Sequence, residues 1–394
     1  MLAVFALLVT SCGLLGDADD GSLARPGEVL FVRAERRAEL AALPPSLRAA
    51  WCGSPSLAAL AAAAASPVAE LDDGEDRPDP SAQPFARAIM AASAASFGLS
   101  DPVARGVLAD LLERWAGATA LDVGGSRPTA NRRYALERTL LPTIVAFWLA
   151  RDPSRPLPAE ERIAAWLGAL VREAARREAT AGERSARNNH FYLHASVQMA
   201  WAALTGDPQR FGLGAAAYGQ ALRDMRADGS LPLETRRGAR ALWYQRHAIA
   251  SLVLIAEMAA VQGHDLYGLE IDGRSIHRAI GFMLDAIADP RRVERYAAAN
   301  EKPGPEPDWR RQDLGFLKRR GHGRHYMAWA EIYAARFPDR PEARRLVTLL
   351  READPNFRPM VDDYSGGNTT CFFAKLGRTV QANDPAQQIF RHVM

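Results

Sequence analysis

From about residue 84 onward, apolar residues recur every three to four positions in segments of roughly 15–25 residues, divided by short Gly, Pro and Asp punctuation. That spacing predicts a succession of helices. Asp101-Pro102 reads as a cap followed by a first-turn proline, opening a helix that ends near Gly117. Further helices are expected over 131–150, from Pro158 with acids in its first turn, and over 188–204, 213–227, 234–262, 275–288, 325–337 and 341–352. Gly263 stops the longest of these. Clear period-two runs and Asn-Gly turns do not occur in the sequence, so strands have little support.

An all-α chain of ten or so helices with short connections packs as a bundle, a solenoid or a toroid of helical hairpins. No repeat of 34 or about 40 residues stands out, which weighs against the solenoid. Two stretches interrupt the helical pattern. Residues 71–83 are polar and rich in Pro and Asp, and 300–324 holds three prolines with a dense Arg/Lys run. The second reads as a long basic loop of the kind that often carries function.

The first residues differ again. An apolar run of about ten residues is too short to remain as a membrane span but suits a signal peptide over 1–20. It ends in Val9-Thr10-Ser11-Cys12, similar to the motif at which bacterial lipoproteins are lipidated on cysteine. A periplasmic or secreted protein is expected, with a lipid anchor at Cys12 as its membrane contact. Cys52 and Cys371 are then left, and either a disulfide or two buried thiols fits them. Their spacing excludes a CxxC redox or metal site.

The charge balance, 49 Lys and Arg against 46 Asp and Glu over 394 residues, excludes a protein dominated by nucleic-acid binding. Any polyanion must be met by a local cluster. Only Lys302, Lys318 and Lys375 among the cations are lysines, so nearly every cation is a guanidinium suited to gripping carboxylates.

Two segments carry candidate chemistry. The first is Arg187-Asn188-Asn189-His190-Phe191-Tyr192-Leu193-His194, at the start of a helix. His190 and His194 share a face, as metal-binding pairs do, but Phe191 stands where a zincin needs its glutamate, and no metal is expected. The second begins at the Asp228-Gly229 turn and runs through Glu234, Arg237 and Tyr244. In one helix Arg237 and Tyr244, seven positions apart, point the same way.

Together, the Asn-Asn-His opening and the Leu-Pro-x-Glu-x-x-Arg…Ala-Leu-x-Tyr stretch resemble the polysaccharide lyases of family 5, the alginate lyases that cleave polymannuronate. The 54 residues between His190 and Tyr244 suit that pattern. Asn131-Arg132-Arg133-Tyr134, the Tyr-Ala-Ala-Arg-Phe-Pro stretch ending at Pro338 and Gly366-Gly-Asn-Thr-Thr-Cys-Phe-Phe are similar to flanking motifs, so the likeness runs roughly from 111 to 373. It departs at Leu193, where the family usually has Trp, at Gln245-Arg246-His247, which replaces His-Asn-Tyr, and at the N-terminal lid motif, which is not recognisable.

The resemblance implies an incomplete (α/α) toroid over 84–394, behind a polar N-terminal or lid segment over 21–83. It implies a monomeric lyase without cofactor, acting on an anionic polysaccharide. Asn189, His190, Arg237 and Tyr244 would be catalytic. Arg132, Arg133, Arg187, Tyr192, Glu234, Arg310, His322 and Arg324 would meet the substrate, with Arg311 beside them. A uronate lyase removes a C5 proton next to a carboxylate and expels the C4 oxygen. Arg237 and the Asn189 amide suit the charge that develops, and Tyr244 suits the proton transfer, with His190 in support. A glucuronate polymer, a glycoside hydrolase using Glu234, and a non-catalytic polyanion-binding protein are the alternatives.

Overall fold

The helices that line the centre of the molecule are apolar on nearly every side, and the helices outside them are amphipathic. A helix apolar all round belongs in the interior of a large fold. The computed structural model describes residues 23–71, 81–122, 130–178, 187–301 and 304–376. The signal region over 1–20 and Cys12 lie outside the described residues.

Helices α1 (Arg33–Ala41), α2 (Pro45–Cys52) and α3 (Leu57–Ala63) come first. Hairpins follow: α4 (Gln83–Leu99) with α5 (Pro102–Gly117), α6 (Ala130–Ala150) with α7 (Glu160–Glu178), and α8 (Asn189–Thr205) with α9 (Pro208–Asp224). After the short α10 (Pro232–Thr235) come α11 (Ala241–Val261) and α12 (Ile276–Ala288), then α13 (Arg291–Ala297). The chain continues through α14 (Trp329–Arg336) and α15 (Pro341–Ala353). It ends with β1 (Val361–Asp362), paired antiparallel to β2 (Gly367–Asn368), and α16 (Thr369–Phe373).

Helices α4, α6, α8, α11 and α14 pack one against the next, and α16 touches both α14 and α4. Every residue of α11 except Trp243 and Ala260 is buried. The outer members α5, α7, α9, α12 and α15 pack against these inner helices. The architecture is an incomplete toroid of helical hairpins, as the family resemblance implies; helical spacing and short connections leave a bundle and a solenoid open as well. No helix among the described residues is long and apolar enough to cross a membrane.

Two expectations are corrected here. Three short helices occupy the stretch read as a polar segment, and Trp51, Cys52 and Leu40 from them are buried in the common core. Their Ala-rich sequences carry a weak pattern, and burial against α4 and α16 stabilises what propensity alone would not. The helix expected over 234–262 is broken. Arg237 and a 3₁₀ turn at Gly238–Arg240 separate α10 from α11, with Gly238 at φ +53°. A Cβ there would collide with the Asn300 side chain, so only glycine fits this corner.

Cys52 and Cys371 form a disulfide across 319 positions. It joins α2 to α16 and lies on Gly98 of α4, where any side chain would strike both sulfurs. Around it, Asn368 Nδ2 donates to the Trp51 carbonyl at 2.8 Å, and Arg36 donates to the carbonyls of Cys371 and Ala374 at 2.8 and 2.9 Å. The ends of the described chain are thus held together at one place. Replacing Cys52 with Ala should lower stability by about 2–5 kcal/mol. Denaturant titration checks this, and reduction of the wild type should give the same loss.

Candidate active site

The first turn of α8 needs partners for its free backbone N–H groups. The Asn188 side chain accepts from the His190 N–H at 2.9 Å, and Glu234 Oε1 accepts from the Asn189 N–H at 2.7 Å. These bonds leave the Asn189 amide unused: it is 1% exposed and neither polar atom has a hydrogen-bond partner. Half-buried His190 stacks on Tyr134 of α6, ring centroids 4.2 Å apart. His194, one turn on, is buried with its Nδ1 2.7 Å from Glu137 Oε1, so the two histidines serve different partners.

The broken helix supplies the second half. Arg237 sits at the corner, its Nε donating to the Leu233 carbonyl at 3.1 Å, and its guanidinium lies 4.0 Å from the centroid of the Tyr244 ring. The two side chains meet as expected, but through a bend and not through helical spacing. Tyr244 is 8% exposed. His247, one turn further along α11, meets Tyr244 edge-on at 5.6 Å and stacks on Tyr364 at 4.7 Å.

Beneath these rings lies a buried ionic cluster. Arg324 donates to Asp362 Oδ1 at 2.9 and 2.7 Å and to Asp363 Oδ1. Asp363 Oδ2 accepts from Arg138 of α6 at 2.7 Å, and the Arg138 guanidinium lies 5.4 Å from the Tyr364 ring and 5.7 Å from Tyr134. Arg246 is wholly buried, donates to the Tyr326 carbonyl at 3.1 Å, and lies 4.9 Å from the Tyr326 ring.

Burial and charge set the protonation pattern. Burial pushes the Asp362 carboxyl up to about 6 against the pull of Arg324, and lowers Arg246 to about 10. Burial, then Arg246, Arg138 and Arg324, hold His247 well below its ordinary value, so its ring is neutral at pH 7. Arg138, Arg246, Arg324 and Arg237 still outnumber Asp362, Asp363 and Glu234, so the region is positive and suited to a carboxylated ligand.

Several residues expected at the substrate are elsewhere. Tyr192 packs in the core with its hydroxyl donating to the Arg187 carbonyl at 3.1 Å, so its polar atom already serves the protein. Glu234 is taken up by the Asn189 N–H, and Arg324 is locked onto the two aspartates, so both are committed to protein partners, unlike the Asn189 amide. Arg187 is exposed and paired with Asp224, and Arg310 is exposed, 3.5 Å from Asp308 and stacked 4.4 Å from the Trp309 ring. Arg311 lies 3.9 Å from Glu306. Arg132 pairs with Glu70 at 2.9 Å, and Arg133 beside it is half-buried at the start of α6. His322 does join the wall of the site, its Nε2 3.1 Å from the Tyr326 hydroxyl.

The sequence does not point to Arg138, Tyr364 or the two aspartates, and Tyr134 and His247 enter only as members of the 131–134 and 245–247 motifs. One signal was available: Tyr134 and Arg138 are four apart on the helix that carries the basic 131–134 stretch, and so share a face. The pairing of Arg138 with Asp363 across 225 positions left no sequence trace.

Two outcomes are expected. Asp363→Asn strips the carboxylate from two bonded guanidiniums and should cost about 3–5 kcal/mol in urea unfolding. Burial lowers His322 and His325 to about 4 from 6.5 and holds His247 well below its ordinary value, so each is neutral when folded and gains a proton on unfolding below 6.5. Their contribution to stability is therefore lost as pH falls from about 6.5 to about 4. His247→Phe should flatten that slope in thermal melts taken across the same interval.

A family model described as alginate lyase matches residues 83–293, more than half of the chain. A polysaccharide lyase of Stenotrophomonas maltophilia is 29% identical over 210 residues, which cover 53% of this chain and 62% of that protein. An alginate lyase of Pseudomonas fluorescens is 31% identical over 155 residues, 39% of this chain and 37% of that protein. The chain thus aligns with less than two thirds of the length of these curated relatives. The solved alginate lyase A1-III of Sphingomonas species A1 superposes with a TM-score of 0.71 at 24% identity, over 92% of this chain and 100% of that one. That likeness speaks for the fold, an α/α toroid in both. With its matched family model spanning more than half of the chain, from the start of α4 into α13, the chain belongs to the alginate lyase family.

Proposed function

We propose that this protein is a lyase that cleaves a uronic-acid polymer of the polymannuronate type by β-elimination. The observation that carries the reading is the convergence of two stretches: the Asn189 amide, buried and without a partner, opens α8, and Arg237 lies against Tyr244 across the corner that faces it. Arg237 and the Asn189 amide hold the carboxylate of the sugar and stabilise the enolate-like charge spread over it when C5 loses its proton.

Tyr244, acting from its phenolate form beside the Arg237 cation, takes that proton and becomes the phenol. The C5–H electrons become the C4–C5 double bond, the C4–O bond breaks with its electrons, and the leaving oxygen receives the proton back from Tyr244. In D-mannuronate the proton and the leaving oxygen are on the same face of the ring, so one side chain serves both steps, as phenolate first and as phenol second. His190, stacked on Tyr134, supports the tyrosine or the carboxylate from the other side. A hydrolase would need two carboxylates flanking the scissile bond. Here Asp362 and Asp363 are locked to arginines and Glu234 is behind the site, which disfavours that reading. The Cys52–Cys371 disulfide supports export to an oxidising compartment.

Incubation with polymannuronate should release products absorbing in the ultraviolet, the mark of a conjugated unsaturated uronate, with polyguluronate, glucuronan and hyaluronan run beside it. Tyr244→Phe should lower kcat by roughly 10²–10⁴-fold while oligouronate binding persists. Substantial turnover by that variant removes Tyr244 from its role. Because the site is cationic, KM should fall as ionic strength is reduced.

A further inference from the structure

Asn189 and Arg237 can act on one carboxylate only if the start of α8 and the corner before α11 keep a fixed register. No backbone pairing joins the two. The side chain that spans them is Glu234. One of its oxygens accepts the Asn189 N–H at 2.7 Å, and the other lies 3.8 Å from Arg237 Nε with no hydrogen-bond partner of its own. The carboxyl group is 1% exposed, so water does not share in either contact.

We infer that Glu234 is a positioning residue for the lyase site, holding the first residue of α8 and the Arg237 guanidinium in the register at which both reach the same sugar carboxylate. The inference rests on the lyase reading above. The bond to Asn189 by itself would be served as well by a neutral amide, which costs less to bury than a carboxylate. What the carboxylate adds is attraction on Arg237, whose Nε already donates to the Leu233 carbonyl. Small misplacement of such a group is felt in the transition state more than in the bound complex.

The groups facing Glu234 are Arg237 from its own segment and, from α8, the Asn189 N–H and the Tyr192 phenol. Burial outweighs Arg237 and the Asn189 bond and pushes the Glu234 carboxyl up to about 7 from 4.5. The folded protein therefore binds more protons than the unfolded chain between these values, and stability falls as pH rises through them. Function and stability pull in opposite directions at this residue.

Glu234→Gln separates the two contacts, since its amide oxygen still accepts from Asn189 while the charge is gone. Steady-state kinetics on polymannuronate should show kcat lowered by about 10- to 100-fold with KM changed less than threefold. The rise of kcat through about pH 7 in the wild type should be absent from the variant. Its melting temperature at pH 8 should equal or exceed that of the wild type, and Glu234→Ala, which loses both contacts, should be slower still. A Glu234→Gln enzyme with wild-type kcat and pH profile overturns the inference, and so does a loss of rate that follows a lowered melting temperature. A wild type that yields no unsaturated product overturns the lyase reading and this role with it.

Discussion

Asp362 and Asp363, side by side at the end of β1, gather Arg324 from the long basic loop and Arg138 from α6 beneath the rings of the site. Isolated charges of this kind would be far too costly to leave buried, and shared carboxylates are what make their burial tolerable. The pairing dictates much else. It seats Tyr364 between Arg138 and His247, fixes the face of α6 from which Tyr134 meets His190, and surrounds His247 with cations so that its ring stays neutral. The disulfide at Cys371, a few residues on, ties the same terminal segment to α2, so the floor of the site is anchored from both ends of the described chain.

Above that floor, the groups assigned to chemistry stand where helices begin or break. Asn189 and His190 open α8, Arg237 occupies the corner between α10 and the 3₁₀ turn, and Tyr244 follows in the first turn of α11. A helix interior satisfies its own backbone and directs side chains by its period. A helix start leaves free N–H groups and allows side chains to aim at a common point. The cost is visible in the unsatisfied amide of Asn189 and in the buried carboxyl of Glu234. Both are arrangements that stability alone would not select.

The departures from the family pattern take on a physical meaning once placed. Leu193 is fully buried, so that change is one of core packing. Gln245 braces the Leu231 N–H and the Gly229 carbonyl, at 2.9 and 3.1 Å, and Arg246 holds the Tyr326 carbonyl at 3.1 Å. Only His247 of that triplet lies edge-on to Tyr244. A sequence difference beside a catalytic residue is thus mostly a difference in scaffold, because successive residues of a helix point about 100° apart.

Most of the helices from α4 onward are legible in the sequence, since the period of the apolar residues and the placement of Asp101-Pro102 and Gly263 are local facts that local physics converts to structure. How those helices pack is not, and the toroid follows only from the family motifs. The sequence also holds the central motif, because Asn189, His190, Arg237 and Tyr244 are recognisable as a spaced set. Only the packed fold settles which candidate polar groups are already taken up by protein partners and which, like the Asn189 amide, are left without one. Tyr192, Glu234 and Arg324 read as polar groups suited to a ligand, yet burial made one a core ring, one a brace and one a locked ion pair. Arg138 with Asp363, and Cys52 with Cys371, are joined across more than two hundred positions. Such pairings are set by how whole helices stack, and the energy that selects them comes from excluding water over many contacts at once, which no short stretch of the chain records.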